Sequence, residues 1–214
     1  ACTSCHEEQV HGVAILDRHT ARVNCTVCHI PVFAKEDPTD MRRDWSTPKY
    51  HAVANKYSAT IDFGQNVVPV YAWFNGHTRL TRMGQRIDPD DRGVVTIMEP
   101  QGSRKDKAAK IHAFKLHEGV LPLLMDKHWL IPLAVDEFLF DGDLAKEVAH
   151  GAEAAYGVDD PEYTWVPSRR YMGIFHEVQP AERALECLDC HREGGRMDWT
   201  ALGYARDPLL DAID

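Results

Sequence analysis

The sequence predicts a mainly α-helical and irregular fold with a few short β-strands, and three observations lead to that prediction. Proline and glycine are frequent, with 12 and 14 residues in a chain of 214, and apolar residues show poor periodicity. Only one long stretch, residues 143–156, has a clear helical pattern. All six cysteines lie in three C-x-x-C-H motifs, which are the attachment signature of haem c. We therefore expect a multihaem cytochrome c fold, with a core built around stacked haems.

The first two motifs predict an N-terminal di-haem unit over residues 1–35. Their residues are Cys2, Cys5 and His6, and Cys25, Cys28 and His29. Two thiols about one helical turn apart can reach the two vinyl groups on one porphyrin edge, while the adjacent imidazole binds the iron. Only residues 7–24 separate the motifs, so we expect the two haems to pack against each other.

The middle of the chain, residues 36–180, contains no attachment motif and must supply its own packing. Residues 67–74 are rich in β-branched and aromatic side chains and end at Asn75-Gly76, a turn signal, so they predict a strand. Residues 94–98 predict a second strand and residues 113–117 a third. The helical stretch has Asp143 as its N-cap and Gly157 as its stop.

The C-terminal segment, residues 181–214, carries the third motif, which consists of Cys187, Cys190 and His191. Pro180 is predicted to be the first residue of a short helix that runs into Cys187. We expect the three segments to form one compact domain.

Three other uses of the cysteines are weaker. A zinc ribbon fits the spacing of the first two pairs but leaves the third pair unused. A thioredoxin-like redox motif is expected once, beside a βαβ pattern that the sequence lacks. Neither use, nor disulfide bonding, explains why a histidine follows every pair. Three covalently attached haems c account for all of these residues.

The chain has twelve histidines, and nine remain after the proximal ligands His6, His29 and His191. This surplus indicates bis-histidine iron, which has a lower potential than His/Met iron. His19 lies six residues before Cys25 in an H-x-x-x-V-x-C-x-x-C-H arrangement that resembles the one used for a distal ligand in cytochromes of the c3 type. His11 follows His6 by five residues, about one helical turn onward if the motif helix continues. The distal ligands predicted from these residues are His11 and His19, with His51 and His117 as further candidates.

Charge and hydropathy limit the partners and the location. The net charge is −9, with acidic residues scattered along the chain, which disfavours nucleic acid as a partner. The acidity either suits a basic redox partner protein or is simply solvated. The most apolar stretch, residues 120–140, is interrupted by prolines and charges and cannot span a membrane. Ala1 is a residue that leader cleavage would leave, so we expect an exported protein, periplasmic or extracellular.

Several stretches resemble the C-terminal portion of the octahaem tetrathionate reductase family. They are residues 25–31, 44–46, 69–76, 87–89, 109–111, 114–115, 176–180, 184–185, 195–199 and 202–204. The resemblance implies that His176 is a haem ligand. Family members carry further haems on the N-terminal side, including a catalytic haem with a distal lysine, and this chain starts too late to contain that site. The resemblance therefore implies the electron-transfer portion, without an active-site role for Lys110 or Lys115.

Two functional classes follow, and a structural role forms a third. The first is an electron carrier whose low-potential haems relay electrons between redox partners or to an extracellular acceptor. The second is a haem-dependent oxidoreductase acting on a small sulfur or nitrogen oxyanion such as tetrathionate, which requires an open axial position. In the structural role, haems near both chain ends permit a head-to-tail filament. A distal histidine donated between molecules, from His11, His19 or His51, would lock that contact.

Overall fold

A mixed β-sheet dominates the protein, so the prediction of a mainly α-helical fold is wrong. The structure is a computed structural model that describes residues 2–7 and 9–210. Within these residues the eight strands are β1 (Thr39–His51), β2 (Lys56–Gly64), β3 (Val70–Phe74), β4 (Thr78–Leu80), β5 (Val95–Pro100), β6 (Lys110–Leu124), β7 (Trp129–Leu130) and β8 (Tyr163–Gly173). The helices are α1 (Ala14–His19), α2 (Cys25–His29), α3 (Val135–Asp141), α4 (Leu144–Tyr156) and α5 (Cys187–Cys190). None of these helices has the length and apolarity that crossing a membrane requires.

The long strand β6 organises the sheet, whose main order is β2-β1-β6-β8-β5-β4. One edge of β6 pairs antiparallel with β8 along the whole length of β8, from Phe114 opposite Gly173 to Leu124 opposite Tyr163. The other edge pairs in succession with β3, β1 and β7. Because β6 has neighbours on both edges and is covered by other parts of the chain, its burial does not alternate simply.

The long strands were not predicted from the sequence because they contain prolines and bulges. Pro48 lies in β1 where the register with β2 shifts between Asp44 and Lys49, a position at which a strand tolerates proline. Pro122 and Pro167 lie within β6 and β8. Proline is rare inside strands, so the sequence did not indicate that each strand continues through its proline.

The predicted strands over residues 67–74, 94–98 and 113–117 are confirmed as β3, β5 and part of β6. The predicted helix is confirmed as α4: the Asp143 side chain accepts the Lys146 N–H, and Gly157 ends the helix in the left-handed region at φ 67°. The helix predicted to run from Pro180 into Cys187 is wrong. A 3₁₀ turn over Ala181–Arg183 ends in extended backbone, and α5 begins separately at Cys187.

One core cluster attaches the second and third cysteine motifs to the sheet. It combines Val27 of α2 and Cys190 of α5 with residues of β3, of β6 and the residue before it, and of the C-terminal segment, namely Trp73, Ala109, Ile111, Met197 and Leu202. The Trp73 indole N–H donates to the Leu202 carbonyl at 2.8 Å. The C-terminal segment is thereby fixed against β3, beside both motifs.

Candidate functional site

The second motif is a single helical turn that buries one side and exposes the other. Asn24 caps α2, because its side-chain oxygen accepts the Thr26 N–H at 3.1 Å, and its own N–H donates to the Ile111 carbonyl of β6 at 2.9 Å. Thr26 and Val27 are buried against the sheet, whereas Cys25, Cys28 and His29 are only partly buried. The three groups that would hold a haem are therefore accessible together on one side of the turn.

A backbone carbonyl fixes the orientation of the His29 imidazole. His29 Nδ1 lies 2.9 Å from the Gln179 carbonyl oxygen, and since a carbonyl only accepts, Nδ1 carries the proton. Nε2 is then left as the metal-binding nitrogen. The Gln179 N–H also donates to the His29 carbonyl at 2.7 Å, and the Leu185 N–H donates to the Cys28 carbonyl at 3.0 Å. The segment leading to the third motif is thus hydrogen-bonded to the second.

In the third motif, a buried carboxylate fixes the orientation of the His191 imidazole. Glu186 and Asp189 form a capping box that starts α5. His191 Nδ1 lies 2.7 Å from an Asp207 carboxylate oxygen, and Asp207 is only 8% exposed. An imidazole bonded to a carboxylate is held in one tautomer and becomes a more basic metal ligand. The sequence reasoning missed both Gln179 and Asp207.

The first motif is the most exposed of the three. Cys2–Ser4 forms a 3₁₀ turn in which the Cys2 carbonyl accepts the N–H groups of Cys5 and His6 at 3.1 and 2.9 Å. Cys2, Cys5 and His6 are all exposed. Ala1, from which export was predicted, lies outside the described residues.

The three motifs converge although about 160 residues separate the second from the third in sequence. Cys25 is hydrogen-bonded to Cys2, and its thiol pKa is raised mainly by burial. Burial also raises the pKa of Cys28, which interacts with Cys187, and raises the pKa of Cys190 to about 11. Reactive redox cysteines have lowered thiol pKa values, so this environment does not resemble a thioredoxin-type centre.

His19, at the end of α1, faces His191. The two ring centroids are 6.1 Å apart, with an interplanar angle of 75°. His19 Nδ1 bonds the Ile15 carbonyl at 2.7 Å, which leaves Nε2 free, as in His191. A metal bond of about 2 Å places an imidazole centre about 3 Å from the metal. The observed spacing of the two rings would therefore allow both imidazoles to bind one iron through Nε2.

A buried polar atom without a partner lies beside His191. The indole of Trp199 stacks on His191, with ring centroids 5.2 Å apart at 21°, and its Nε1 is buried without an acceptor. A haem, whose propionates accept hydrogen bonds, could supply an acceptor there. The donor set and this orphaned N–H both fit a haem at Cys187 and Cys190.

His112 is a further candidate ligand that was not among those predicted from the sequence. It lies in β6 among Phe74, Phe114 and Phe175, with its Nδ1 buried and unpaired. Burial, and secondarily Lys110, lower its pKa, which favours the neutral imidazole that metals bind. Its burial within a strand could have been inferred only if the full length of β6 had been predicted.

Of the other predicted ligands, His11 and His176 are accessible, whereas His51 and His117 bond neighbouring side chains through their ring nitrogens. His11 is exposed, with Nδ1 3.2 Å from Asp17, and the His176 side chain is 75% exposed, so both remain accessible. His51 Nε2 bonds Ser58 Oγ at 2.8 Å beside the β1–β2 turn. His117 is buried, and its two ring nitrogens contact Asp40 at 3.1 Å and Arg170 at 3.3 Å.

Comparisons with known proteins agree with this geometry. The family model described as "Cytochrome c bacterial" matches residues 35–194. A crystal structure of octaheme cytochrome c from Shewanella oneidensis superposes with a TM-score of 0.87 and is 32% identical in sequence. The match covers 100% of this chain and 53% of that one, so the chain spans about half the length of the octahaem protein. No curated protein matches.

Proposed function

The chain belongs to the bacterial cytochrome c family, and from this premise we propose that it is a three-haem electron relay. Membership implies covalently attached haem c, and the similar Shewanella oneidensis protein is described as an octaheme cytochrome c, which supports a multihaem chain. The family is typically exported and works with redox partners. The proposed haem sites are the three C-x-x-C-H motifs, with His6, His29 and His191 as proximal ligands.

The convergence of the three motifs is the observation that carries this proposal. Cys2 contacts Cys25, and Cys28 interacts with both Cys187 and Cys190. Haems attached at neighbouring points would lie close to one another, as rapid electron transfer between them requires. When bound, haem supplies one-electron redox chemistry through its iron.

For the haem at Cys187 and Cys190, we propose bis-histidine ligation by His191 and His19. Asp207 holds the proton on His191 Nδ1, and the Ile15 carbonyl holds the corresponding proton on His19. Trp199 covers one face of His191. A strong-field ligand on each side of the iron, with a carboxylate behind one of them, favours a low potential.

Distal ligands for the other two haems are proposed among the remaining histidines. His11, His112 and His176 each keep a ring nitrogen free of protein partners within the described residues. His51 and His117 are weaker candidates. Ser58 Oγ bonds Nε2 of His51, the outer ring nitrogen, and both His117 nitrogens have partners.

The count of three haems is tested by intact mass and by a pyridine haemochrome assay on the haem-loaded chain. We expect three covalent haems on a polypeptide of 24.2 kDa, and fewer would contradict the proposal.

An electron paramagnetic resonance (EPR) spectrum then separates the relay from an oxyanion oxidoreductase. A relay gives low-spin iron only, whereas a stoichiometric high-spin signal would favour an enzyme with an open axial position, tetrathionate being one substrate to test. Release to the periplasm or to the medium is decided by cell fractionation.

A further inference from the structure

The α3–α4 pair carries a cluster of metal-ligating side chains that the haem motifs do not use. Glu147 and His150 are three residues apart on α4, so both lie on one face of the helix. Glu137 reaches the same point from α3. One ligand atom from each of these residues lies within 4.8 Å of the others.

Glu147 is the unusual member of this cluster. It is 0% exposed, and neither carboxylate oxygen has a hydrogen-bond partner. Its neighbours on α4, Val148 and Ala152, belong to the apolar cluster under the helix. An ionised carboxylate buried in this way is strongly unfavourable unless a cation or a proton compensates it.

The nearby lysine forms no direct bond with this carboxylate. Lys146 pairs with Glu137 and Asp141 on α3, whereas neither Glu147 oxygen has a hydrogen-bond partner among the described residues. Each carboxylate has two oxygens, so Glu137 can bond Lys146 with one and keep the other for a ligand.

We propose that Glu137, Glu147 and His150 bind a divalent transition-metal ion of the zinc type, separately from the haems. Two carboxylates neutralise the charge of such an ion, and an imidazole favours zinc or a similar metal over magnesium and calcium. Glu137 and His150 are exposed, so their side chains can adjust by the small distance that coordination requires. The bound ion would tie α3 to α4. Burial raises the pKa of Glu147, which leaves a protonated, metal-free carboxyl as the competing explanation.

Zinc binding to the haem-loaded chain tests the proposal. The protein is treated with a chelator and dialysed against Zn²⁺, and zinc per chain is measured by mass spectrometry. We expect one zinc, with affinity reduced at least about tenfold in both E147Q and H150Q. E153Q is the control, because Glu153 is an exposed carboxylate on the same helix and the substitution makes the same charge change as E147Q.

The variants also separate binding from folding. Glutamine matches the shape of a protonated glutamate, so the E147Q unfolding temperature without metal should equal or exceed that of the wild type. Zinc should raise the unfolding temperature of the wild type and of E153Q only. No zinc uptake by the wild type would overturn the proposal in favour of the protonated carboxyl. Uptake by E147Q equal to that of the wild type would overturn it in favour of surface histidines.

Discussion

At the residue scale, the groups behind the proposed proximal histidines differ in charge, and this would set the electrostatics of each proposed haem site. His29 bonds a neutral backbone carbonyl, whereas His191 bonds the buried carboxylate of Asp207. A carboxylate stabilises the more positive, oxidised iron through its imidazole, and a carbonyl does so less. The haem at the third motif should therefore have a lower potential than the haem at the second, if their distal ligands are alike.

Replacing Asp207 with asparagine tests this electrostatic difference. D207N keeps an oxygen acceptor for His191 Nδ1 but removes the charge, so one of the haem couples should shift upward by about 60 mV, a tenfold change in its equilibrium. Spectroelectrochemical titration measures the couples. D160N serves as the control, because Asp160 is exposed in the segment after α4. Equal shifts in both variants would contradict a specific role for Asp207.

His19 offers a second residue-scale prediction, concerning which haem it serves. H19A removes the imidazole that faces His191, so one haem should become partly high-spin and its potential should rise. EPR detects the spin change. The affected couple should be the same one that D207N shifts. H77A is the control and should leave every haem low-spin, since His77 is exposed just before β4 and is not among the candidate ligands. A fully low-spin spectrum for H19A would exclude it as a ligand.

The sequence predicted some of these residues and could not have predicted others. C-x-x-C-H predicts the attachment residues because covalent chemistry fixes their spacing, and a pattern around Cys25 predicts His19 as a ligand. Gln179 acts through its backbone carbonyl, which any residue type provides. Asp207 lies sixteen residues after His191, at a distance that no local rule fixes. Both roles exist only after the chain has folded.

At the element scale, helix ends were easier to predict than the sheet. Asp143 and Gly157 are local signals whose chemistry acts within one turn, and the structure confirms both. The sheet depends on pairings between distant segments, such as β1 with β6 and β5 with β8. Such pairings leave no local pattern, and bulges and prolines removed the alternation that would have revealed the strands.

The packing of α4 predicts that replacing Gly151 with alanine lowers the stability of the protein, the opposite of the usual effect within a helix. Glycine to alanine within a helix normally stabilises by about 1 kcal/mol. At Gly151, however, an added methyl carbon would lie 1.8 Å from the Pro132 carbonyl oxygen, so the helix would have to move away. G151A should therefore destabilise by about 2 kcal/mol.

Denaturant unfolding followed by far-ultraviolet circular dichroism measures this loss. E153A is the comparison, because it also places alanine in α4, two residues further on and on the exposed side, and it should change stability by less than about 0.5 kcal/mol. If G151A were as stable as the wild type, the close approach of α4 to Pro132 would be wrong.

At the scale of the whole molecule, the sheet and the haem sites occupy different parts of the chain but depend on each other. The motif segments pack on β3 and the start of β6 through Trp73, Ala109 and Ile111. The far end of β6 packs with α4 through Leu124. The motif-free middle region thus serves as a scaffold that holds two distant motifs together, and an octahaem relative about twice as long contains the same scaffold.

Exposed groups beside the second motif lead to a prediction about assembly. His176 is 75% exposed and lies between Phe175 and Val178, which are 61% and 55% exposed. An apolar patch next to a candidate ligand suits contact with another haem-carrying molecule. If the contacting surface of the second copy is a different one, the contact repeats head to tail and produces a ring or a filament. Glu177 anchors this loop through the N–H groups of Ala34 and Lys35, so the patch is held in place.

We therefore expect the haem-loaded chain to form concentration-dependent assemblies, detected by light scattering and electron microscopy. V178D places a charge in the patch and should shift the population towards monomers. F140D makes a similar change at Phe140 of α3, which is 79% exposed and lies outside the patch, so it should leave assembly unchanged. The haem spectra of both variants should match the wild type, which shows that the haem sites are intact. A monodisperse wild-type particle near the monomer mass, with every iron six-coordinate, would mean that His176 acts within its own chain or not at all.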